Sequence, residues 1–200
     1  MSDTVIGICT KNFALLACDE TQARSIVVYK HDEDKIMSLD EHKLLACSGG
    51  QSDRVQFCEY IQRNLKLYQL KNGVPLGTAA VANFTRQQLH TALRRGPKQV
   101  NLVIAGYDGE EEGCSMYYMD YLASMHRMNK AVTGYGSYFV SSTLDAYYRE
   151  DLSVDEAVKI IDAGIEEIRT RLLLNTPNFV VKIVDKDGAR VLCRRTLLEV

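Results

Sequence analysis

Nowhere in these 200 residues do apolar side chains run on for the roughly 20 positions that a membrane-spanning helix needs. An excess of one charge is lacking too. The 24 Lys and Arg against 26 Asp and Glu leave a net charge of −2, which argues against nucleic acid or an anionic membrane surface as the partner. The short basic group Arg94, Arg95 and Lys98 does not change that balance. The six cysteines (Cys9, Cys18, Cys47, Cys58, Cys114, Cys193) include no Cys-x-x-Cys pair, and the four histidines (His31, His42, His90, His126) stand alone, so neither a metal nor a cofactor is implied. Most of the cysteines fall in apolar runs and read as buried free thiols of a reducing compartment. Asp3 interrupts the start and no basic segment precedes an apolar one, so no signal peptide is expected and the chain reads as a protein of cytoplasm and nucleus. Three prolines and no low-complexity tract point to one compact domain over residues 1–200. A chain of this length buries roughly 70% of its unfolded surface, so no disulfide or metal staple is required.

What is present is a regular exchange of two textures. "TVIGIC" and "FALLACD" are apolar and rich in β-branched residues, joined at Lys11–Asn12, and read as a buried hairpin. "RSIVVYK" (24–30), "KIMSL" (35–39) and "KLLACSGG" (43–50) read as further strands. From Asp53 to Lys71 the spacing becomes helical, with Phe57, Cys58, Ile61, Leu65 and Tyr68 on one stripe and Asn72–Gly73 as the stop. A second helix is expected from Thr78 to about Arg95, with Val81, Phe84, Leu89 and Ala92 inward. Strand texture returns at 99–108 and 114–122, parted by the acidic turn 109–113, and again at 130–137. Two more helices follow, the second opening at a Ser153-x-x-Glu156 capping box. A hairpin turning near Asp187–Gly188 ends the pattern.

The order is therefore strands, helix pair, strands, helix pair, hairpin. Continuous apolar strands such as "LVIAG" call for cover on both faces. Two packed sheets, each with a helix pair outside, satisfy this: an α+β fold in four layers, α-β-β-α. A doubly wound parallel fold fits worse, because the strands come as hairpins.

At the level of motifs the chain resembles 20S proteasome β subunits, the type-2 class at the fourth β position of the eukaryotic ring in particular. The resemblance runs from residue 4 to about 192 and rests on "TVIGI", "DKIMSL", "LLACSGG", "VQFCEYIQRNLKLYQLKNG", "ANFTRQQL", "VNLVIAGYDG", "YYMDYLAS", "GYGSYFVSSTLDAYYREDLSVDEA" and "FVVKIVDKDG". It implies the four-layer sandwich of the N-terminal-nucleophile hydrolases.

Active members of that family expose a Thr as first residue, whose hydroxyl attacks a peptide carbonyl. A Lys lowers its pKa, and an Asp ending the second strand holds the Lys. The matching residues here are Asp19 and Lys35, and counting back by the family's intervals of 16 and 32 residues lands both times on Asp3. Aspartate has no hydroxyl to attack with. Thr4 is one residue out of register, so it should face the other side of the strand, and Ser2 is equally misplaced. Where active members carry Gly-Ser-Gly this chain has Gly134–Tyr135–Gly136, with a ring expected to crowd the position of a small hydroxyl. Leu172 follows Arg171 in place of an Asp, and Asn175 stands for a Ser. Gly49, which in active members lends an N–H to the oxyanion hole, reads more economically as a turn.

The resemblance thus implies a catalytically silent subunit, with Asp19 and Lys35 vestigial as a structural ion pair. It would complete the β ring of the particle that degrades proteins in the ubiquitin–proteasome pathway. The implied partners are the other α and β subunits of a four-ring hetero-oligomer, with no nucleic acid or membrane among them. Tyr118, Asp120 and Tyr121 lie where the family borders a neighbour's substrate cleft, and are expected to help shape that pocket. Two rival readings differ in class. One is an active Thr or Ser hydrolase using Thr4 or Ser2 after unusual processing. The other is a stand-alone thiol enzyme using Cys9 or Cys18, which have no His near them in sequence.

Overall fold

The structure is a computed structural model that describes residues 3–24 and 27–196. The chain opens with β1 (Val5–Cys9) and β2 (Phe13–Asp19), a hairpin whose two strands are buried throughout and whose turn at Lys11–Asn12 is exposed. A ribbon of β3 (Gln22–Arg24) and β4 (Val27–Lys30) follows, then β5 (Ile36–Asp40) and β6 (Lys43–Gly49). Helices α1 (Gln51–Asn72) and α2 (Thr78–Leu93) lead to β7 (Val100–Tyr107), β8 (Cys114–Met119), β9 (Met125–Arg127) and β10 (Lys130–Thr133). Helices α3 (Ser137–Tyr147) and α4 (Val154–Arg171) precede the closing hairpin, β11 (Asn178–Asp185) and β12 (Gly188–Thr196).

The strands form two five-stranded antiparallel sheets, ordered β10-β1-β2-β11-β12 and β5-β6-β7-β8-β9. Three apolar clusters glue four layers together. Val5, Leu16, Cys18, Leu44, Ala46, Val103, Met116 and Val180 fill the space between the sheets. Ile6, Ile8, Leu15, Phe179 and Val181 point the other way, against Val140, Ile161, Ile165 and Ile168 of α3 and α4. Leu45, Leu102 and Ile104 meet Phe57, Ile61, Val81 and Leu89 of α1 and α2. This is the α-β-β-α order the periodicity calls for. It arises because a strand sends successive side chains to opposite faces, and both faces here are apolar.

Helix ends follow local chemistry. Gly73 caps α1 at φ 76, and its N–H donates to the Gln69 carbonyl at 2.8 Å. At α4 the capping box is complete: the Glu156 N–H donates to Ser153 Oγ at 3.3 Å, and the Ser153 N–H to the Glu156 carboxylate at 2.9 Å. Ser153→Ala is expected to cost about 1 kcal/mol. Faster amide hydrogen exchange confined to the first turn of α4 is the measurement that checks it.

The structure differs from the sequence expectations in several places. Of the strand expected over 24–30, Val27–Lys30 forms β4, which pairs with β3 in a ribbon separate from the main sheets and leaves Val27, Val28 and Tyr29 exposed; residues 25 and 26 lie outside the described residues. The strand expected over 114–122 stops at Met119, because Asp120 turns the chain into β9, a three-residue strand too short to show periodicity. Tyr68 is exposed and Phe84 and Ala92 are only half-buried, while Arg54, absent from the expected stripe of α1, is buried. The Arg54 guanidinium donates to Glu33 at 3.0 Å and to Gln22 at 3.3 Å, which ties α1 to the ribbon. Most of the terminal "TLLEV" lies outside the described residues. Among the described residues no helix is long and apolar enough to cross a membrane, and no group of three or more His, Cys, Asp or Glu is arranged to hold a metal.

Candidate functional site

The alternation of β1 decides the geometry at its head. Val5 faces the space between the sheets and Ile6 faces the helices, so Asp3 shares the face of Val5 and Thr4 that of Ile6. Asp19 ends β2, beside Thr4, and Lys35 immediately precedes β5 in the opposing sheet. All three charged side chains are nearly or fully buried.

The Lys35 ammonium donates to Asp3 Oδ1 at 2.8 Å, to Asp19 Oδ1, and to the Thr21 carbonyl at 2.7 Å. Its three N–H donors are thereby used. The second oxygens of both carboxylates are occupied as well. Asp3 Oδ2 accepts the Gly49 N–H at 3.2 Å, and Asp19 Oδ2 accepts the Thr4 N–H at 2.9 Å. Sequence and structure agree that Asp19 and Lys35 pair; the roles of Thr21 and Gly49 emerge only in the fold. Gly49 does more than turn the chain. Its φ is +142, and a Cβ there would stand 2.3 Å from the Gln99 carbonyl oxygen, so only glycine presents this N–H to Asp3.

Two carboxylates and one ammonium carry a net charge of −1 in a dry place. Burial pushes the Asp19 carboxyl up to about 6, against the pull of Lys35 and with a push from Asp3. Burial by itself would depress the Lys35 ammonium, but the Asp19 and Asp3 carboxylates outweigh it and hold the group above its usual range. Lys35 therefore stays charged and is no base at neutral pH.

Thr4 lies on the other face of the strand. Its hydroxyl accepts the Gly136 N–H at 3.2 Å and is fully buried against α3 and α4, out of reach of Lys35. Ser2 lies outside the described residues. Tyr135 does not crowd the site: 48% of it is exposed, and its flanking glycines make the contacts. A Cβ on Gly134 would meet the Asp3 carbonyl oxygen at 1.9 Å, and one on Gly136 would meet the Thr4 side chain at 2.4 Å. Arg171 is exposed and paired with Glu167, Leu172 packs beside the helix-layer cluster, and Asn175 is exposed. None of these joins the Asp3 cluster. Cys9 and Cys18 are buried thiols; burial pushes Cys9 up to about 12 and lifts Cys18 well above the usual thiol range, so neither offers a thiolate.

The three residues expected at a neighbour's cleft sit together at the β8–β9 hairpin. Tyr118 packs beside the inter-sheet cluster, and burial followed by the charge of Asp120 raises its phenol. Asp120 Oδ1 accepts the N–H groups of Leu122 at 2.9 Å and Ser124 at 2.8 Å, holding a turn in which Ala123 has φ 64. Tyr121 is exposed.

The family model for proteasome subunits matches residues 1–184. The chain is 55% identical over 188 residues to proteasome subunit beta type-2-B of Arabidopsis thaliana, a match covering 94% of each chain. It is 53% identical over 193 residues to proteasome subunit beta type-2 of Oryza sativa, covering 96% of this chain and 91% of the other. Against proteasome subunit beta type-4 of Saccharomyces cerevisiae it is 35% identical over 189 residues, covering 94% and 96%. With the sandwich, the Asp19–Lys35 pair and these matches together, the chain belongs to the proteasome subunit family.

Proposed function

We propose that this chain is a non-catalytic β subunit of the 20S proteasome core particle, present to complete the β ring rather than to cut peptide bonds. The observation that carries the reading is Asp3. It stands where a nucleophile would have to meet Lys35, it brings a carboxylate instead of a hydroxyl, and that carboxylate is bound on both oxygens. A buried carboxylate bound on both oxygens is a poor nucleophile toward a peptide carbonyl, and the ammonium beside it has no N–H left to offer. The relatives' names as β type-2 subunits support the same assignment.

Its partners are then the other α and β subunits, met through heterologous faces, as a closed ring of unlike chains requires. The exposed apolar run Val27, Val28 and Tyr29 suits such a contact better than open water. The buried free thiols suit the reducing compartments of cytoplasm and nucleus. Thr4 is disfavoured as an alternative nucleophile by its complete burial on the helix face.

The test is intact mass of this chain from the assembled particle, before and after an electrophile directed at N-terminal threonine. The expected result is no adduct on this chain while sister chains are labelled; a chain beginning at Thr4 and carrying the adduct overturns the reading. The contribution of Tyr118, Asp120 and Tyr121 to a neighbour's pocket belongs to the same proposal. Asp120→Ala and Tyr121→Ala are expected to shift the neighbour's peptide selectivity several-fold. Because Asp120 also holds its own turn, Tyr121→Ala is the cleaner probe, and unchanged selectivity in both defeats the idea.

A further inference from the structure

We propose that the Asp3 side chain is an internal ligand lodged in a built carboxylate receptor, made of the Lys35 ammonium and the Gly49 N–H, and that once emptied the receptor takes a small free carboxylate of matching size. The two oxygens of Asp3 go to two different partners, Oδ1 to Lys35 at 2.8 Å and Oδ2 to Gly49 at 3.2 Å. That is how a binding site holds a carboxylate, with one charged donor and one backbone donor in a desolvated place.

The receptor does not depend on Asp3 for its shape. Lys35 is held from behind by Asp19 and by the Thr21 carbonyl. Gly49 is held by its tight approach to the Gln99 carbonyl, which also accepts the Gly50 N–H at 3.3 Å. The backbone at Asp3 is held separately, against Gly134 and through the hydrogen bond from the Asp19 N–H to the Thr4 carbonyl at 3.2 Å. Removing the Asp3 side chain therefore leaves two donors in place around a vacated volume and changes the cluster from net −1 to neutral. An anion entering that volume restores both hydrogen bonds and the original charge.

Size makes the proposal sharp. Asp3→Ala keeps the Cβ and vacates one carboxylate group, the volume of formate. Asp3→Gly vacates CH₂ and carboxylate together, the volume of acetate. Affinity is bounded by ligand size: three or four non-hydrogen atoms support roughly millimolar binding. The inference deepens the reading of a silent position and rests on it. The two fail differently, since an adduct on this chain overturns the silence, while the experiment below can overturn the receptor and leave the silence standing.

The experiment uses assembled particles carrying Asp3→Ala, Asp3→Gly or Asp3→Asn in this chain. Hydrogen exchange of the peptide containing Gly49 is followed with formate, acetate or chloride at equal ionic strength. Exchange is expected to rise about tenfold in the Ala and Gly variants, as a protected N–H loses its acceptor. Formate should restore protection in Asp3→Ala and acetate in Asp3→Gly, each better than the mismatched acid, with no effect on the unaltered chain. Asp3→Asn fills the space and should ignore both acids. Equal restoration by chloride, or none by either carboxylate, overturns the proposal. If the Ala and Gly variants do not assemble, the readout becomes particle yield with the matching acid added, where rescue supports the receptor and failure overturns it.

Discussion

Replacing Lys35 by methionine should remove this chain from assembled particles. The substitution leaves the Asp3 and Asp19 carboxylates buried on either side of a thioether with no cation between them. Breaking a buried ion pair by deleting one partner costs about 3–5 kcal/mol. A domain's whole stability is only about 5–15 kcal/mol, so a large part of it would go. Protonation of Asp19, whose burial already raises it to about 6, would recover some of that. The uncharged triple variant with Asn at positions 3 and 19 and Met at 35 should lose less than Lys35→Met alone, because no unpaired charge stays in the core. Thermal unfolding and the amount of chain recovered with its sister subunits measure both. A Lys35→Met chain that assembles and melts like the unaltered one would show that the cluster contributes nothing to stability.

Gly134→Ala should cost about 3 kcal/mol or more, although it adds a single methyl group. Gly134 has φ +75, where an L side chain is strained by about 1–2 kcal/mol. Steric overlap costs more than that strain. The new Cβ would stand 1.9 Å from the Asp3 carbonyl oxygen and 2.8 Å from its carbon, and both atoms are backbone that cannot rotate away. Either β1 withdraws from β10, or the entry to α3 moves. The contrast is Gly73→Ala at the end of α1, where φ is +76 but nothing beyond the adjoining chain lies within 4 Å of the added Cβ. That variant should lose only what the backbone strain costs. Equal losses in the two variants would mean that the close approach at Gly134 is not what fixes the head of β1.

Much of the architecture was readable in advance because its cause is local. The alternation of Val5, Ile6 and Ile8, the stripe of Phe57, Cys58, Ile61 and Leu65, and the Ser153–Glu156 cap are patterns a chain writes within a few residues. The misreadings have local causes too. β9 has three residues, fewer than a period-two pattern needs to show itself. Val27, Val28 and Tyr29 have the composition of a core strand, yet their ribbon joins neither main sheet. Arg54 is absent from the stripe read for α1 because nothing nearby in sequence announces Glu33 and Gln22 as its partners.

The site divides along the same line. The sequence by itself determined that residue 3 is a carboxylate and not a hydroxyl, and the family's intervals of 16 and 32 residues, counted back from Asp19 and Lys35, set it opposite Lys35. It also determined that Thr4 must face elsewhere, because a strand's side chains alternate. Only the tertiary structure decided what holds that carboxylate. The Gly49 N–H comes from 46 residues away, the Thr21 carbonyl closes the ammonium's third bond, and Gly134 and Gly136 lend room rather than side chains. Backbone groups are alike in every residue and leave no mark in a sequence. Their positions, and that of Tyr135 turned half into solvent, are fixed only when the two sheets close on each other.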